Sequence, residues 1–396
     1  MKYGLPYKGS KNKLAERIVR FLPKRDNLVD LFCGGCAVSH AALLMGKYKH
    51  IHINDLNWMC PTLFLDALSG KYNDDTRWIS REDFFRLRDT DPYVAVVWSF
   101  GNNLRGYLYS TEIEPWKKAL HYARVLGDYS LMEEFGIHTD GSRADIIAHH
   151  DEYKKKYIRW WLAQQEYSAE ELDALIERCK GDIAVQEEEL RQYLLAGLKS
   201  SGLTQAEVGR RLGTQMTGHY FGRSQWEFPT EEYYNMMRTF MPALDKDYNE
   251  VIGLHNLWQS LESLQRLQSL ESLESLQRLE SLQRPQRLQS SALDYAEVGI
   301  PKDSVIYCDI PYEGTDVYNG AEHFDYERFY RWAESQTEPV FISSYDMPHD
   351  RFDCVTEWRH RSILSGRANN AVTERLFVPK GQKERGNIVH QLTLFD

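Results

Sequence analysis

No apolar run in the sequence approaches the ~18 residues that a membrane-spanning helix requires. The N-terminus MKYGLPYKGSKNK lacks the apolar core of a secretory signal. Cysteine is scarce, six in 396 residues. These six are too few for a disulfide scaffold and are not in paired zinc-finger spacing, so a reduced, cytoplasmic chain without a structural metal is expected. No glycine-rich loop ending in Lys-Ser/Thr is present, which argues against a nucleoside triphosphatase. Hydrophobic residues at 42% and charged residues at 27% exclude a disordered or collagen-like chain. The length accommodates one large domain with an insertion, or two to three small domains.

Acids outnumber bases by 58 to 48, and the net charge of −10 argues weakly against a nucleic-acid partner. The distribution reverses that impression. Residues 1–25 carry eight lysines and arginines against Glu16 alone; residues 191–225 carry five against Glu207; residues 359–387 carry seven against Glu374 and Glu384. The excess acid lies mainly between about 110 and 190. A basic face on an acidic protein fits this pattern, and so does ordinary solvated charge.

Leu14, Ile18, Phe21 and Leu22 have helical spacing. NLVDLF (27–32) then reads as a strand, Cys33-Gly34-Gly35 as a tight turn and 37–45 as a helix. KHIHIN (49–54) alternates like a second strand and ends at Asp55. Residues 57–70 and much of 80–200 have helical spacing. SVIYCD (304–309), PVFISS (339–344) and RLFVP (375–379) are further strands. Strands separated by helices predict an α/β sheet with helices packed on it.

Residues 257–290 differ. Leucine recurs every third position from Leu261 to Leu282, Pro285 takes the leucine phase, and Leu288 follows. An α-helix turns ~100° per residue, so a leucine stripe of period three drifts by about −60° per triplet. It stays on no single face for long and is not a coiled-coil heptad. The LES, LQR and LQS triplets read as a low-complexity insertion, partly helical up to Pro285, serving as a spacer or loop.

Two places carry the residue types of a ligand site. The strand ending Asp30-Leu31-Phe32-Cys33-Gly34-Gly35 lets a ligand approach the backbone ahead of a helix N-terminus. Asp55 ends the next strand, where an acid binds the two hydroxyls of a ribose. Cys308-Asp309-Ile310-Pro311-Tyr312 closes another apolar strand. There the carboxylate and a turn carbonyl suit an amine's hydrogens, and the tyrosine face suits a planar ring.

Pro6-Tyr7-Lys8-Gly9-Ser10-Lys11, DLFCGG, Asp55 and DIPY occur in the order seen in DNA adenine methyltransferases of the Dam type. The sequence resembles that family across most of 1–110 and 300–380. By this resemblance PYKGSK is a cofactor-contacting motif and DLFCGG the S-adenosylmethionine loop. Asp55 is the ribose-binding acid, DIPY is the catalytic Asp-Pro-Pro-Tyr, and Val340 to Pro348 is the strand and loop after it. The catalytic motif comes last, behind a long variable segment, which is the family's α arrangement.

The resemblance implies a Rossmann-like S-adenosylmethionine methyltransferase sheet built from 1–110 and 295–396. A mainly helical target-recognition domain is inserted at 111–256, and the repeat at 257–290. It implies S-adenosyl-L-methionine held by Tyr7, Lys11, Asp30, Phe32, Gly34, Gly35, Asp55 and Asp309. Asp309, Ile310, Pro311 and Tyr312 would act on an adenine flipped out of duplex DNA, with no metal and no membrane. Two positions depart from the family pattern: Ile310 stands where proline is usual, and Cys36 where glycine is usual. N4-cytosine methylation more often uses serine at Asp309, and cytosine C5 chemistry needs a Pro-Cys pair, present only reversed as Cys60-Pro61. Adenine N6 is therefore favoured. A non-catalytic DNA-binding relative, and an RNA or N4-cytosine methyltransferase, are the alternatives.

A helix-turn-helix is expected near 203–223. Thr204 is its N-cap, Glu207 completes a capping box, and Gly213 lies in the turn. The second helix, expected from near Thr214, would carry Gln215, Met216, Thr217 and His219 towards the major groove, with Arg210 and Arg223 beside them. Asn102 and Asn103 resemble a family segment near cofactor and DNA. The final residues, with Gln391, Leu392, Leu394 and Phe395, resemble the short peptide that docks bacterial proteins on the replication sliding clamp; a tail packed on its own domain is the alternative.

Overall fold

The computed structural model describes residues 3–164, 183–223, 226–260, 267–279, 288–312, 324–361 and 371–382. The chain divides into two compact units, Met1–Leu108 with Gln268–Asp396, and Tyr109–Leu267. Among the described residues no helix is long and apolar enough to cross a membrane.

The first unit is built on seven strands: β1 Asn27–Asp30, β2 His50–Asn54, β3 Leu288–Ser291, β4 Ser304–Asp309, β5 Val340–Ser344, β6 Phe352–Arg361 and β7 Ala371–Pro379. They form one sheet in the order β3-β2-β1-β4-β5-β7-β6. The first five strands in that order run parallel. β7 is antiparallel to both β5 and β6. The central strands are covered on both faces, so β4 and β5 read as continuous apolar runs rather than alternating ones. Val29, Ile306, Cys308, Phe329, Ile342 and Phe377 are fully buried in one core cluster below the sheet's carboxyl edge. The chain leaves β1 towards β2 on one side, while β4 adds on the other. The carboxyl ends of β1 and β4 thus flank a topological switch point, where open α/β sheets bind ligands.

The sequence pattern predicts β1, β2, β4, β5 and β7 and misses β3 and β6. Both are edge strands. Edge strands have no neighbour on one side and tolerate charge, so their patterning is weak. β3 is Leu-Gln-Ser-Ser, indistinguishable from the repeat around it.

The repeat is divided between the two units and is not a free spacer over its whole length. Helix Gln268–Gln277 packs on helices Met59–Leu68 and Pro92–Val97 of the first unit. Its buried face is Ser269, Ser272, Leu273 and Leu276, spaced i, i+3, i+4, i+7. Leu270 has drifted to a half-buried position. The drift of the three-residue period brings serine onto the face as leucine leaves it. Gln277 Nε2 donates to the Asn73 carbonyl at 2.8 Å.

The second unit is helical in its described residues. One core gathers Leu194, Val208, Leu212, Tyr220, Tyr234 and Met237 from helices Ile183–Ser201, Gln205–Leu212, Thr217–Phe221 and Glu231–Arg238. Thr204 and Glu207 form the capping box: Glu207 accepts the Thr204 N–H at 2.7 Å, and Thr204 Oγ1 accepts the Glu207 N–H at 3.3 Å.

Candidate active site at the carboxyl edge of the sheet

The N-terminal segment and the glycine turn form one interlocked piece. The Leu5 N–H donates to the Gly35 carbonyl at 2.6 Å, and the Gly4 N–H donates to His40 Nδ1 at 2.9 Å. Burial lowers the His40 pKa to about 4, which keeps the ring neutral and able to accept. Gly4 has φ 69°, and a Cβ there would lie 2.3 Å from the Gly35 carbonyl oxygen. A Cβ on Gly35 would lie 2.8 Å from Tyr7 Cβ. Glycine is required at both places because two backbones and a tyrosine meet there.

Above this piece lies a cavity of about 340 Å³. Tyr7, Lys11, Asp30, Phe32, Gly34, Gly35 and Asp55 line it together with Asp309, Ile310, Pro311 and Tyr312. All the residues expected for cofactor and catalysis thus border one space, although their segments lie far apart in sequence. The register explains this: Asp30 pairs with Tyr307 across β1 and β4, so Asp309 emerges two residues further along the neighbouring strand. Lys8, Ser10, Leu56, Asn57, Tyr307 and Phe324 border the cavity as well.

The carboxylates differ in environment. Asp30 is buried; its Oδ2 accepts from Ser39 Oγ at 2.5 Å, while Oδ1 has no partner. Burial pushes its pKa up to about 7, and the hydrogen bond from Ser39 opposes this. Asp55 Oδ2 accepts the Gly34 N–H at 2.8 Å and Oδ1 the Asn57 N–H at 2.9 Å. Burial raises its pKa against these two donors. A carboxylate has about four acceptor directions, so each Asp55 oxygen keeps one. Asn54 holds this acid in place: its amide bridges the Leu31 and Leu293 carbonyls at 3.1 and 3.0 Å and accepts from Ser291 Oγ at 2.6 Å. The end of the repeat, in β3, is thereby tied to the end of β2.

At the β4 end, Lys11 Nζ lies 2.8 Å from Asp309 Oδ1 and 3.6 Å from Glu374 Oε1. The Tyr312 hydroxyl donates to Glu374 and stands 3.3 Å from Asp309 Oδ1. Lys11 also sits over the Tyr312 ring, 4.8 Å from its centre, and the Tyr345 ring packs edge-on at 4.4 Å. Burial pushes the Asp309 pKa up to about 6; the Lys11 ammonium pulls it down and Glu374 pushes it up. Burial also holds the Tyr312 phenol protonated, hence a donor. Asn54, Tyr345 and Glu374 escape the sequence reading. A signal existed for the last: Glu374 is the acid opening the apolar run of RLFVP.

The two departures have separate physical accounts. Ile310 is 3% exposed and its side chain joins the core cluster beneath the turn. Cys36 is the N-cap of helix Ala37–Met45 at φ 57°, a left-handed conformation that glycine adopts without strain. Its Sγ lies 3.6 Å from Cys33 Sγ.

Asn102 and Asn103 do not border the cavity. Asn102 donates to the Val96 carbonyl at 2.9 Å, and Asn103 Oδ1 accepts from the Arg105 N–H at 2.9 Å, so both shape their own loop.

In the second unit, helix Thr217–Phe221 begins three residues later than expected and is five residues long. Gly213 adopts φ 68°, and Thr214 Oγ1 accepts the Met216 N–H at 3.1 Å; this turn delays the helix. Gln215, Met216, Arg210 and Arg223 are exposed, and His219 is half-buried. Thr217 is a correction. It is 7% exposed, and a Cβ on Gly209 would lie 3.3 Å from its Oγ1. Its side chain fills the angle between the two helices and does not face outward. Gln391, Leu392, Leu394 and Phe395 lie outside the described residues.

Residues 7–83 match the family model described as D12 class N6 adenine-specific DNA methyltransferase. No curated protein matches the chain. The matched stretch takes in Tyr7, Lys11, Asp30, the glycine turn and Asp55, whereas Asp309 to Tyr312 lie beyond it.

Proposed function

We propose that this chain, a Dam-type DNA adenine methyltransferase of the D12 class, methylates the N6 amine of an adenine turned out of duplex DNA, with S-adenosyl-L-methionine as donor. The observation that carries the reading is the single cavity shared by the glycine turn and the Asp309–Tyr312 strand end. The residues fit the donor. Asp55 keeps acceptor capacity for a ribose diol, and the partnerless Asp30 Oδ1 suits the ammonium of a methionine moiety. Bound there, S-adenosylmethionine would supply an electrophilic sulfonium methyl group, with the neutral thioether as its leaving group.

The chain's own groups position the nucleophile. Asp309 and the Ile310 carbonyl accept the two N–H bonds of the amine, which leaves the nitrogen lone pair free to point at the donor. The Tyr312 ring stacks on the base. The isoleucine at position 310 keeps the required carbonyl and anchors the turn through its buried side chain in place of a proline ring. Asp309 acts as a carboxylate, so activity rises with pH through about 6. The N6 nitrogen loses its proton readily after transfer, and no strong base is required.

Exposed Gln215, Met216, Arg210 and Arg223 supply the target-reading face, with Gln suited to adenine and Arg to guanine or phosphate. The test is transfer of labelled methyl to unmethylated duplex DNA, with Asp309→Ala as control. Transfer that survives Asp309→Ala refutes the assignment, and duplex binding without any transfer identifies a non-catalytic relative. The Gln391–Phe395 segment, on its sequence alone, is proposed to dock on the sliding clamp. Equal retention by immobilised clamp with and without the last six residues refutes that.

A further inference from the structure

Glu374 belongs to β7, two strands away from β4 in the sheet, yet its carboxylate reaches the catalytic corner. It is 3% exposed. A buried glutamate is costly unless its charge is used or paired. Here it accepts the Tyr312 hydroxyl and lies 3.6 Å from Lys11 Nζ.

The Lys11 contact bears on catalysis. In the structure Asp309 Oδ1 already receives the Lys11 ammonium at 2.8 Å and stands 3.3 Å from the Tyr312 hydroxyl. An arriving amine needs that same carboxylate, whose Oδ2 has acceptor capacity. An ammonium held on Oδ1 weakens the carboxylate as an acceptor while it stays there. A second carboxylate beside Lys11 shares that ammonium. Resting on the methyltransferase reading of this cavity, we propose that Glu374 is a positioning residue. It fixes the Tyr312 ring through its hydroxyl, and it shares the Lys11 ammonium, so that Asp309 keeps its acceptor strength for the target amine. Tyr345, packed edge-on against Tyr312, adds to that hold.

The groups facing Asp309 are Lys11 and Tyr312 at its oxygens, Glu374 from β7, Tyr307 and Cys308 on its own strand, Tyr345 just beyond β5 and Asp30 on β1. Of these, Glu374 opposes the ionisation of Asp309 and Lys11 favours it. Neutralising Glu374 thus has two effects of known sign. Lys11 keeps its grip on Asp309, and Asp309 ionises at lower pH.

The experiment compares wild type with Glu374→Gln and Glu374→Asp in methyl transfer to unmethylated duplex DNA. Cofactor binding and melting serve as controls. For Glu374→Gln, kcat falls on the order of 10-fold to 100-fold, the loss typical of a displaced catalytic geometry. Cofactor affinity changes less than about 3-fold, because Glu374 does not border the cavity. The acid limb of the pH–rate profile moves to lower pH. Glu374→Asp keeps the charge, so its acid limb stays in place while kcat drops. Wild-type kcat in both variants overturns the proposal, as does a kcat loss in Glu374→Gln with an unmoved acid limb. If Glu374→Gln does not fold, wild-type kcat in Glu374→Asp is the overturning result. If wild type transfers no methyl, the functional reading fails on its own. The inference is then read from infrared titration of the Asp309 carboxyl, assigned with Asp309→Asn. Its midpoint must fall in Glu374→Gln, and an unchanged midpoint overturns it.

Discussion

Replacing Asp30 by asparagine isolates what a partnerless carboxylate costs this fold and what it gains on ligand binding. The unfolded chain ionises Asp30 near pH 3.8, while the folded site holds the proton until about pH 7. A folded pKa above the unfolded one means that the native state binds more protons between those limits. Stability is therefore lost as pH rises through that window and stays lost above it. At ~1.4 kcal/mol per pH unit the penalty is about 1.5 kcal/mol at pH 5 and about 4 kcal/mol at pH 8, an upper figure given the open cavity. Asparagine retains an acceptor for Ser39 and turns its amide towards the cavity, so the substitution removes mainly the charge. For a unit of this size ~1 kcal/mol corresponds to roughly 2–4 °C in melting temperature. Asp30→Asn should thus melt up to roughly 8–16 °C above wild type at pH 8 and up to roughly 3–6 °C above it at pH 5. Calorimetric melts across that range measure the difference. Saturating cofactor should narrow the gap at pH 8, because the carboxylate gains a cationic partner that the variant cannot use. A gap independent of pH would refute the assignment of the cost to Asp30 ionisation.

Leu276→Ala in the repeat should cost about 2–5 kcal/mol in denaturant unfolding, because Leu276 is fully buried; a change under ~0.5 kcal/mol would mark that helix as inert. Cys36→Gly should be close to neutral, since relief of ~1–2 kcal/mol of left-handed strain offsets the loss of a small buried side chain. Cys36→Val keeps the strain and adds a branched side chain, so its melting temperature should drop clearly below that of both. Gln215→Ala should lower methylation or alter the DNA word found by long-read modification sequencing, with melting unchanged. Thr217→Ala should instead lower melting, because that side chain is buried against Gly209; the opposite pattern would restore Thr217 as a DNA contact.

Much of the first unit was legible because its central strands are dry on both faces. SVIYCD carries a continuous apolar run over Val305–Cys308, and NLVD is buried over Leu28–Asp30; such strands survive any choice of surface residues. The sheet's edges were not legible for the converse reason. β6 carries Asp353, Glu357, Arg359 and Arg361 within its ten residues, and β3 repeats the composition of its flanks. In the repeat, the drift of leucine off any one face is real. The segment is helical over Gln268–Gln277, as expected ahead of Pro285, and a buried face persists there because serine is small enough to share it. Ser269 and Ser272 are as buried as the leucines beside them.

The candidate site divides along a similar line. Residues that a strand end or a glycine turn throws into the cavity are marked by local sequence: Asp30 ends β1, Asp55 directly follows β2, and Asp309 ends β4 before a proline turn. Asn54 and Tyr345 act through partners far away in the chain and nothing local distinguishes them, while Glu374 is marked only as the acid ahead of RLFVP. Thr217 shows the limit from the other direction. Helical position alone could not fix the rotation of a helix whose start is set by a turn at Gly213 and Thr214. The same consideration applies to chemistry. On the proposed reading the Asp309 motif supplies the group that meets the amine, but how strongly its carboxylate accepts depends on how Lys11 is shared. Lys11 stands 2.8 Å from Asp309 and 3.6 Å from Glu374, and the second carboxylate comes from sixty-two positions beyond Tyr312, on a strand running the opposite way.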